Sequence, residues 1–315
     1  MPIPRPFHWS LIAATTLFTL GCVEVEAPTP PEYTLPDVVG SGTQFCECTA
    51  ADLTGRVLRI NRFEIDEPEA LATVLNTMWS GEIRNNIMNV LFRMDAAEKG
   101  TLTAFKSITM AAGPAWRDPP IPAQLPPEED APTASAVDSY CMLDGLDQEI
   151  ALKPYHGYQC QYKNPQPASL VFHLGGRDDP LMCAPLLEPA NATPLMDLKV
   201  RFGFNEDCTG ITDGFLEGCI AVDDAERMCV CTNAGTCAWA GDPGAAHTPE
   251  DLPGYCKAAC GVGWASFGGI IKSVGIVPTC LTLDGREGIR LQAFFDAVDV
   301  SDKYNPVSSD DCTAK

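Results

Sequence analysis

The chain has 315 residues and carries 21 Lys and Arg against 42 Asp and Glu, so its formal net charge is −21. This length is enough for one large domain or two smaller domains with real hydrophobic cores. The negative electrostatic field of such a protein repels nucleic acid and anionic lipid headgroups, which excludes nucleic acid as a partner.

The chain begins with the order of a secretory signal peptide. Arg5 precedes a stretch of apolar and small residues from Trp9 to Leu20, and Gly21 and Cys22 follow directly. The apolar stretch is too short to span a bilayer as a helix, so it predicts export rather than a transmembrane anchor.

The end of this segment, LFTLGC at 17–22, resembles a bacterial lipobox. The resemblance implies cleavage by signal peptidase II, a diacylated (palmitate-carrying) Cys22 and attachment to a membrane through this N-terminal lipid. Thr19 stands where the family usually has Leu, which leaves ordinary signal-peptidase cleavage open. Val23 is not the Asp that retains lipoproteins at the inner membrane, so the implied location is the outer membrane of the cell envelope, on its periplasmic or surface face. The resemblance implies no fold or activity for the rest of the chain.

Cysteine content agrees with export. The chain has 15 cysteines, and without Cys22 the remaining 14 can form seven disulfides, a density typical of exported proteins. The expected disulfide partners are Cys46, Cys48, Cys141, Cys160, Cys183, Cys208, Cys219, Cys229, Cys231, Cys237, Cys256, Cys260, Cys280 and Cys312. A bridge between Cys46 and Cys48 would be strained, so each is expected to pair with a cysteine at position 141 or later.

Composition divides the chain into regions. They are a signal peptide (1–21), the lipidated Cys22 with a proline-rich tether (22–45), a strand–helix–hairpin region (46–113), a proline-rich surface segment (114–136) and a β-rich, cysteine-rich region (137–315). We expect 46–315 to form one cooperative unit, because the bridges from Cys46 and Cys48 would clamp the strand–helix–hairpin region onto the β-rich region.

The first predicted element is a strand over 56–65. Leu58 and Ile60 alternate with polar residues, and so do Phe63 and Ile65, but the two pairs are out of phase. This pattern predicts a slip in register inside the strand.

A helix is predicted next, with Asp66 as its N-cap candidate and Pro68 in its first turn. Its apolar residues at helical spacing are Leu71, Val74, Leu75, Met78 and Trp79 and, after an interruption at Ser80-Gly81, Ile83, Ile87, Val90 and Leu91. The opposite face lacks the lysine excess of a membrane-surface helix, so we interpret the apolar stripe as core-facing.

A hairpin is predicted after the helix, with arms near Val90–Met94 and Leu102–Met110. Seven prolines then lie between residues 114 and 133, which predicts an interdomain linker or a long surface loop.

The second half has strand signals. Alternation predicts strands at Met196–Phe204 and Ile289–Ala297, with weaker candidates at Leu170–Leu174 and Tyr158–Tyr162. A short helix is predicted at Val222–Met228, a loop at Cys229–Gly263, and turns at Asp144-Gly145, Asp213-Gly214 and Asp284-Gly285. The predicted fold class is therefore α+β or mainly β, a disulfide-rich sandwich or barrel with one principal helical segment near the N-terminus.

Neither a metal site nor a catalytic residue emerges from the motifs, and no cofactor is indicated. The cysteine spacings do not give paired zinc knuckles, and the acidic run at 205–213 lacks the order of an EF-hand. Trp264–Gly268 imitates a nucleophile elbow around Ser266, but Trp264 stands where a glycine is needed. His247, the last histidine, precedes Ser266, so the hydrolase order of Ser, Asp and His is not completed.

One aromatic segment suggests a ligand surface. Tyr155, Tyr158 and Tyr162 lie among Gln and Asn side chains, a mixture that suits sugar rings or a protein partner. In a strand, however, Tyr158, Cys160 and Tyr162 would share one face, which is the pattern of a disulfide-flanked core.

Together these observations favour a non-enzymatic, membrane-anchored envelope lipoprotein with a binding or surface-structural role and an unidentified protein or glycan partner. Two alternatives stay open. One is an exported hydrolase of unrecognised family, whose catalytic carboxylates are hidden among the acids. The other is a carrier of an apolar ligand inside a β-barrel.

Overall fold

The computed structural model describes residues 48, 50–84, 86, 88–99, 105–118, 137–143, 145–154, 160–173, 192–231 and 264–306. The strands in these ranges are β1 (Val57–Glu67), β2 (Val90–Lys99), β3 (Phe105–Asp118), β4 (Ser139–Met142), β5 (Gln148–Pro154), β6 (Gln161–Lys163), β7 (Ala168–His173), β8 (Ala192–Phe204), β9 (Gly210–Ala221), β10 (Cys229–Cys231), β11 (Trp264–Ser266), β12 (Cys280–Leu281) and β13 (Glu287–Asp299). The helices are α1 (Ala50–Leu53), α2 (Glu69–Arg84), α3 (Val222–Arg227) and α4 (Phe267–Ser273), and a 3₁₀ turn follows at Ser301–Lys303.

Eight of these strands close into a barrel. They pair antiparallel in the order β1-β2-β3-β5-β6-β8-β9-β13, and β13 pairs back with β1. Strands β4, β7 and β12 lie off this circuit and pair with β3, β8 and β13. The mainly β barrel among the expected fold classes is therefore present. The described strands outside this sheet are β10 and β11, which pair with each other as a separate two-stranded sheet.

The slip predicted in the first strand is present as a bulge. In the pairing of β1 with β13 the register shifts between Ile60 and Arg62, which leaves Asn61 as the extra residue. The apolar residues on both sides of the bulge are all buried, namely Leu58, Ile60, Phe63 and Ile65. The bulge thus keeps both halves of the strand facing the core although their alternation is out of phase.

Aromatic side chains fill much of the barrel interior. The ring of Phe295 lies 5.6 Å from that of Phe92 and 6.4 Å from that of Phe202. The Phe202 and Phe204 rings are 5.4 Å apart, and Tyr162 lies 5.9 Å from Phe204. All five rings are buried, and these centroid distances are those of aromatic pairs in contact.

Helix α2 packs one face into the same core. Its buried residues recur every four positions, at Leu71, Leu75, Trp79 and Ile83. The indole of Trp79 lies 5.7 Å from Phe63, 6.0 Å from Phe172 and 6.2 Å from Phe267. These stripe residues face the core, as their helical spacing predicts.

The limits of the helix differ from those predicted. Strand β1 includes Asp66, which therefore does not cap the helix. Helix α2 continues through Ser80-Gly81 and ends at Arg84, so it does not resume at Val90. Val90 begins β2, as the predicted hairpin arm at Val90–Met94 requires. Apolar residues at 87–91 fit either periodicity, and pairing of β2 with β1 and β3 decides for the strand.

The hairpin of β2 and β3 is longer than predicted. Strand β2 runs to Lys99, and β3 continues to Asp118 and includes Pro114, so the proline-rich segment 114–136 begins inside a strand. Residues 119–136 lie outside the described residues.

In the second half, β8, β13, β7 and α3 occupy the predicted positions. Asp213-Gly214, however, lies inside β9 instead of forming a turn, and Cys229–Cys231 forms β10 instead of a loop.

Buried Arg59 ties the end of α2 to the barrel wall. Its Nε donates to Asn89 Oδ1 at 2.7 Å, and its Nη2 donates to the carbonyl oxygen of Ile83 in the last turn of α2. Its guanidinium lies 5.8 Å from the centre of the Tyr140 ring. A cation at this end of a helix also opposes the negative pole of the helix dipole.

Two asparagines replace missing strand partners. Strand β1 pairs with β2 only over its first three residues, and further along the Asn76 side chain accepts from Ile65 N–H at 2.6 Å and donates to Ile65 C=O at 2.8 Å. Asn164 follows the short strand β6, and its side chain accepts from Val200 N–H at 2.8 Å and donates to Leu198 C=O at 2.6 Å. Asn76 thus satisfies backbone groups of β1 beyond its pairing with β2, and Asn164 does so on β8 at the junction between its pairing with β6 and its pairing with β7.

Two disulfides join distant parts of the chain. Cys48 pairs with Cys208 across a sequence separation of 160, and Cys219 pairs with Cys280 across 61. Cys141 and Cys160 are also disulfide-bonded. The expected bridge from Cys48 to a cysteine at position 141 or later is therefore present. The positions outside the described residues are Cys22, Cys46, Cys183, Cys237, Cys256, Cys260 and Cys312.

Candidate functional site

A groove of about 440 Å³ lies on the outer wall of the barrel, where β1, β13 and the β8–β9 turn meet. This volume is in the range of small-molecule sites. Its polar lining comes from Asn61, Asn205, Thr209, Thr212, Asp296 and Asp299.

Bulges on both neighbouring strands flank Asp296 of β13. On one side Asn61 is the extra residue of β1. On the other side the register of β9 shifts at Thr212 and Asp213, and Asp213 has a positive φ of 52°. Bulges commonly re-aim side chains beside functional sites, and here two of them open the wall around one carboxylate.

The groove carboxylates are held in fixed orientations, and each has an arginine partner. Asp296 accepts from the backbone N–H of Asp213 at 3.1 Å and from Arg62 Nη1 at 3.3 Å. Asp299 accepts from the Ser301 N–H at 2.9 Å and forms an ion pair with Arg56. Each acid is therefore oriented by a backbone N–H and paired with a cation.

Hydrogen bonds to Glu64 and Asp296 raise the pKa of Arg62, whose guanidinium is protonated at neutral pH in any case.

The turn between β8 and β9 forms a rigid end wall. Asn205 accepts from Gly210 N–H at 2.9 Å and donates to Thr209 Oγ1 at 3.2 Å. The Thr209 hydroxyl donates to Asp207 at 2.6 Å, and this bond lowers the pKa of Asp207. A Cβ at Gly210 would lie 2.7 Å from the carbonyl oxygen of Ala297, so only glycine permits this approach of the turn to β13.

The groove also presents uncommitted polar groups and apolar surface. Asn61 and Thr212 are exposed, and neither side chain hydrogen-bonds another of the described residues. Val298 is 36% exposed at the groove, and Phe294, two residues before Asp296 on the same outward face of β13, is 40% exposed. The Phe294 ring lies 5.5 Å from that of Phe215, edge to face.

A second unusual carboxylate lies elsewhere on the barrel wall. Asp197 of β8 has a positive φ of 54°, and its Oδ1 is buried without a hydrogen bond. Burial raises the pKa of Asp197, and a hydrogen bond from the backbone of Leu283 opposes this shift. Leu283 itself is 78% exposed.

No family model, curated protein or solved structure matches this chain.

The aromatic residues singled out from sequence do not form the groove. Tyr162 is 2% exposed and packs against Phe202 and Phe204, and burial raises the pKa of its hydroxyl. The structure therefore places this ring in the core and not on a ligand surface. Tyr155 and Tyr158 lie outside the described residues.

Ser266 has a structural role. It ends β11 and caps α4, and its hydroxyl accepts from Gly269 N–H at 2.9 Å. Ser266 lies between a strand and a helix, but its backbone is extended, with φ −71° and ψ 142°, and does not form the strained turn of a nucleophile elbow. Ser266 is buried, and its hydroxyl is used as a helix cap.

Among the described residues, no group of three or more His, Cys, Asp or Glu side chains is arranged to hold a metal ion. None of the helices in the described ranges has the length and apolar character needed to span a membrane.

Proposed function

We propose that this protein is an exported, non-enzymatic binding protein that is anchored to the outer membrane through lipid on Cys22 and takes its ligand in the outer groove. The observation that carries the binding role is the pair of bulges around Asp296. They lie on either side of one carboxylate in a concave part of the barrel wall that also presents oriented polar groups.

The groove favours binding over hydrolysis. A glycoside hydrolase needs two carboxyl groups in different protonation states on either side of the scissile bond. Asp296 and Asp299 are each engaged by an arginine and by a backbone N–H. Two carboxylates that are each salt-bridged and oriented in this way suit the positioning of a ligand.

A carrier of an apolar ligand is the second candidate, because the barrel is closed. It requires the buried rings of Phe92, Phe202 and Phe295 to move aside, since they contact one another inside the barrel. A lipid that co-purifies with the protein and remains bound in native mass spectra would favour this candidate.

The binding role is tested by filling the groove. Asn61→Trp places a large side chain at the rim of the groove. Glu149→Trp, at an exposed position of β5, is the matched control. A ligand at 100 times its Kd stabilises by about 2.7 kcal/mol, which raises Tm by roughly 5–10 °C for a domain of this size. We expect a water-soluble ligand to raise Tm in the wild type and in Glu149→Trp but not in Asn61→Trp. A shift that persists in Asn61→Trp would place binding elsewhere.

The anchor rests on the sequence LFTLGC at 17–22. We expect the wild type to incorporate labelled palmitate and to fractionate with the outer membrane, and Cys22→Ser to do neither. Labelled fatty acid in Cys22→Ser would place the anchor at another residue. A soluble, unlabelled wild type would point to ordinary signal-peptidase cleavage.

A further inference from the structure

We infer that the ligand of the groove is a neutral glycan of at least two sugar units, with one ring in the groove and the next over Phe294. This inference rests on the proposed function, since it assigns the ligand class of the same groove.

The charges in the groove exclude strongly charged ligands. Each groove carboxylate is matched by a cation, Asp296 by Arg62 and Asp299 by Arg56. A cationic ligand would therefore compete with guanidinium groups that already hold these acids. An anionic ligand would approach a protein with a formal net charge of −21. A neutral ligand meets neither barrier.

The polar groups match hydroxyl-rich molecules. Carboxylate oxygens that accept one protein hydrogen bond can accept another, and sugar hydroxyls are donors that fit this capacity. The exposed amide of Asn61 offers both a donor and an acceptor, and the hydroxyl of Thr212 can serve as either. Asp296 is fixed by the Asp213 N–H, so binding needs little ordering of this group.

The apolar residues extend the site along β13. Val298, Asp296 and Phe294 alternate on the outward face, and alternate residues of a strand lie about 7 Å apart. Val298 and Phe294 are 36% and 40% exposed, so apolar surface lies on both sides of the Asp296 carboxylate. An aromatic face next to a hydrogen-bonding groove suits the C–H face of a second sugar ring.

The test measures the affinity of the full-length protein, or of the Cys22→Ser variant if the anchor prevents purification. The probes are the methyl glycosides of glucose, galactose, mannose and N-acetylglucosamine, the β- and α-linked disaccharides of these sugars, glucosamine, and glucuronic acid. Isothermal titration and saturation-transfer NMR provide two independent readouts. We expect a neutral disaccharide to bind at least tenfold more tightly than its monosaccharide, and both charged sugars to bind more weakly.

Three variants assign the binding to residues. Asn61→Ala combined with Thr212→Val is expected to weaken both the monosaccharide and the disaccharide at least tenfold. Phe294→Ala is expected to reduce the disaccharide to the affinity of the monosaccharide and to leave the monosaccharide unchanged. Glu149→Ala, on another wall, is the control and should change neither. All of these side chains are exposed, except that of Phe294, which is partly so, and unchanged circular dichroism verifies the fold.

The outcomes separate this inference from the proposed function. If none of the neutral sugars binds at millimolar concentration, or if a charged sugar binds best, the glycan assignment is overturned. The binding role survives that result when another ligand is blocked by Asn61→Trp. If a sugar binds but Asn61→Ala with Thr212→Val binds it as the wild type does, the site is elsewhere and both are overturned.

Discussion

Removing the Cys48–Cys208 disulfide is expected to cost more stability than any single surface substitution. The bridge joins the start of the described chain to the β8–β9 turn across a sequence separation of 160, so strands β1 to β8 lie inside the closed loop. In the chain-entropy model a loop of this length restricts the unfolded chain by about 5 kcal/mol at 25 °C. The bridges at Cys141 and Cys160 already restrict part of that loop, so this figure is an upper bound.

The Cys219–Cys280 bridge provides the matched comparison. Its sequence separation is 61, for which the same model gives about 4 kcal/mol. Each pair is replaced by serines, and urea unfolding is followed by the fluorescence of the tryptophans, of which Trp79 is buried, and by circular dichroism. For a domain of this size 5 kcal/mol corresponds to a fall in Tm of roughly 10–20 °C.

Two results would refute this reasoning. One is a loss in the Cys48/Cys208 variant no larger than that of an ordinary surface substitution, about 0.5 kcal/mol. The other is a peptide map of the non-reduced protein in which Cys48 is joined to Cys46. Because Cys208 lies in the turn that forms the end wall of the groove, this variant should also bind the groove ligand more weakly, whereas the Cys219/Cys280 variant should not.

Three further substitutions test the fold and its pH dependence. Arg59→Met leaves the Ile83 carbonyl and Asn89 without their donor and is expected to lower the unfolding free energy by about 3 kcal/mol; a urea titration that shows no loss would contradict a clamping role. Asn76→Ala should cost about 2 kcal/mol and speed amide exchange at Ile65, and unchanged exchange there would argue against its ladder role. Burial raises the pKa of Asp197 above its ordinary value of 3.8, so the folded state binds the carboxyl proton more tightly than the unfolded state does. The protonated carboxyl therefore stabilises the fold at low pH, and this stabilisation is lost as pH rises through the pKa of Asp197 in the folded state. Asp197→Asn should therefore be more stable than the wild type at neutral pH, and this difference in stability should vanish below pH 3.8. Asp213→Asn is the control, because Asp213 also has a positive φ and the same substitution there measures the effect of Asn on that backbone conformation.

The predicted elements that are present are those whose type follows from the spacing of apolar residues within the element itself. Alternation in β8 and β13 follows from one buried and one exposed face, and the helical spacing of Leu71, Leu75 and Trp79 follows from one face in the core. Val90 fits both the helical stripe and the predicted hairpin arm because a short apolar run matches both periods, and the partners in β3 that decide for the strand lie elsewhere in the chain. The choice between sandwich and barrel depends on the pairing of β1 with β13, which no local pattern encodes.

Only one side of the candidate groove could be predicted from the sequence. The change of phase between Ile60 and Phe63 predicts the bulge at Asn61, and this bulge forms one side of the groove. The second bulge, in β9, could not be predicted from the sequence, because Asp213-Gly214 has the composition of a turn. In the structure this pair lies at a bulge within the strand, and Asp213 has a positive φ. That both bulges lie next to Asp296 depends on the strand order and not on the sequence around any of them.

The barrel is closed by its first and last strands. Strand β1 pairs with β2 over only three residues and cannot complete its pairing until β13 is available, so the barrel stays open until β13 has been added. Such distant pairing slows folding, because a long loop must be ordered before its contacts contribute. A circular permutant with new ends between β2 and β3 would join β13 and β1 in sequence, and we expect it to fold faster than the protein with its original strand order.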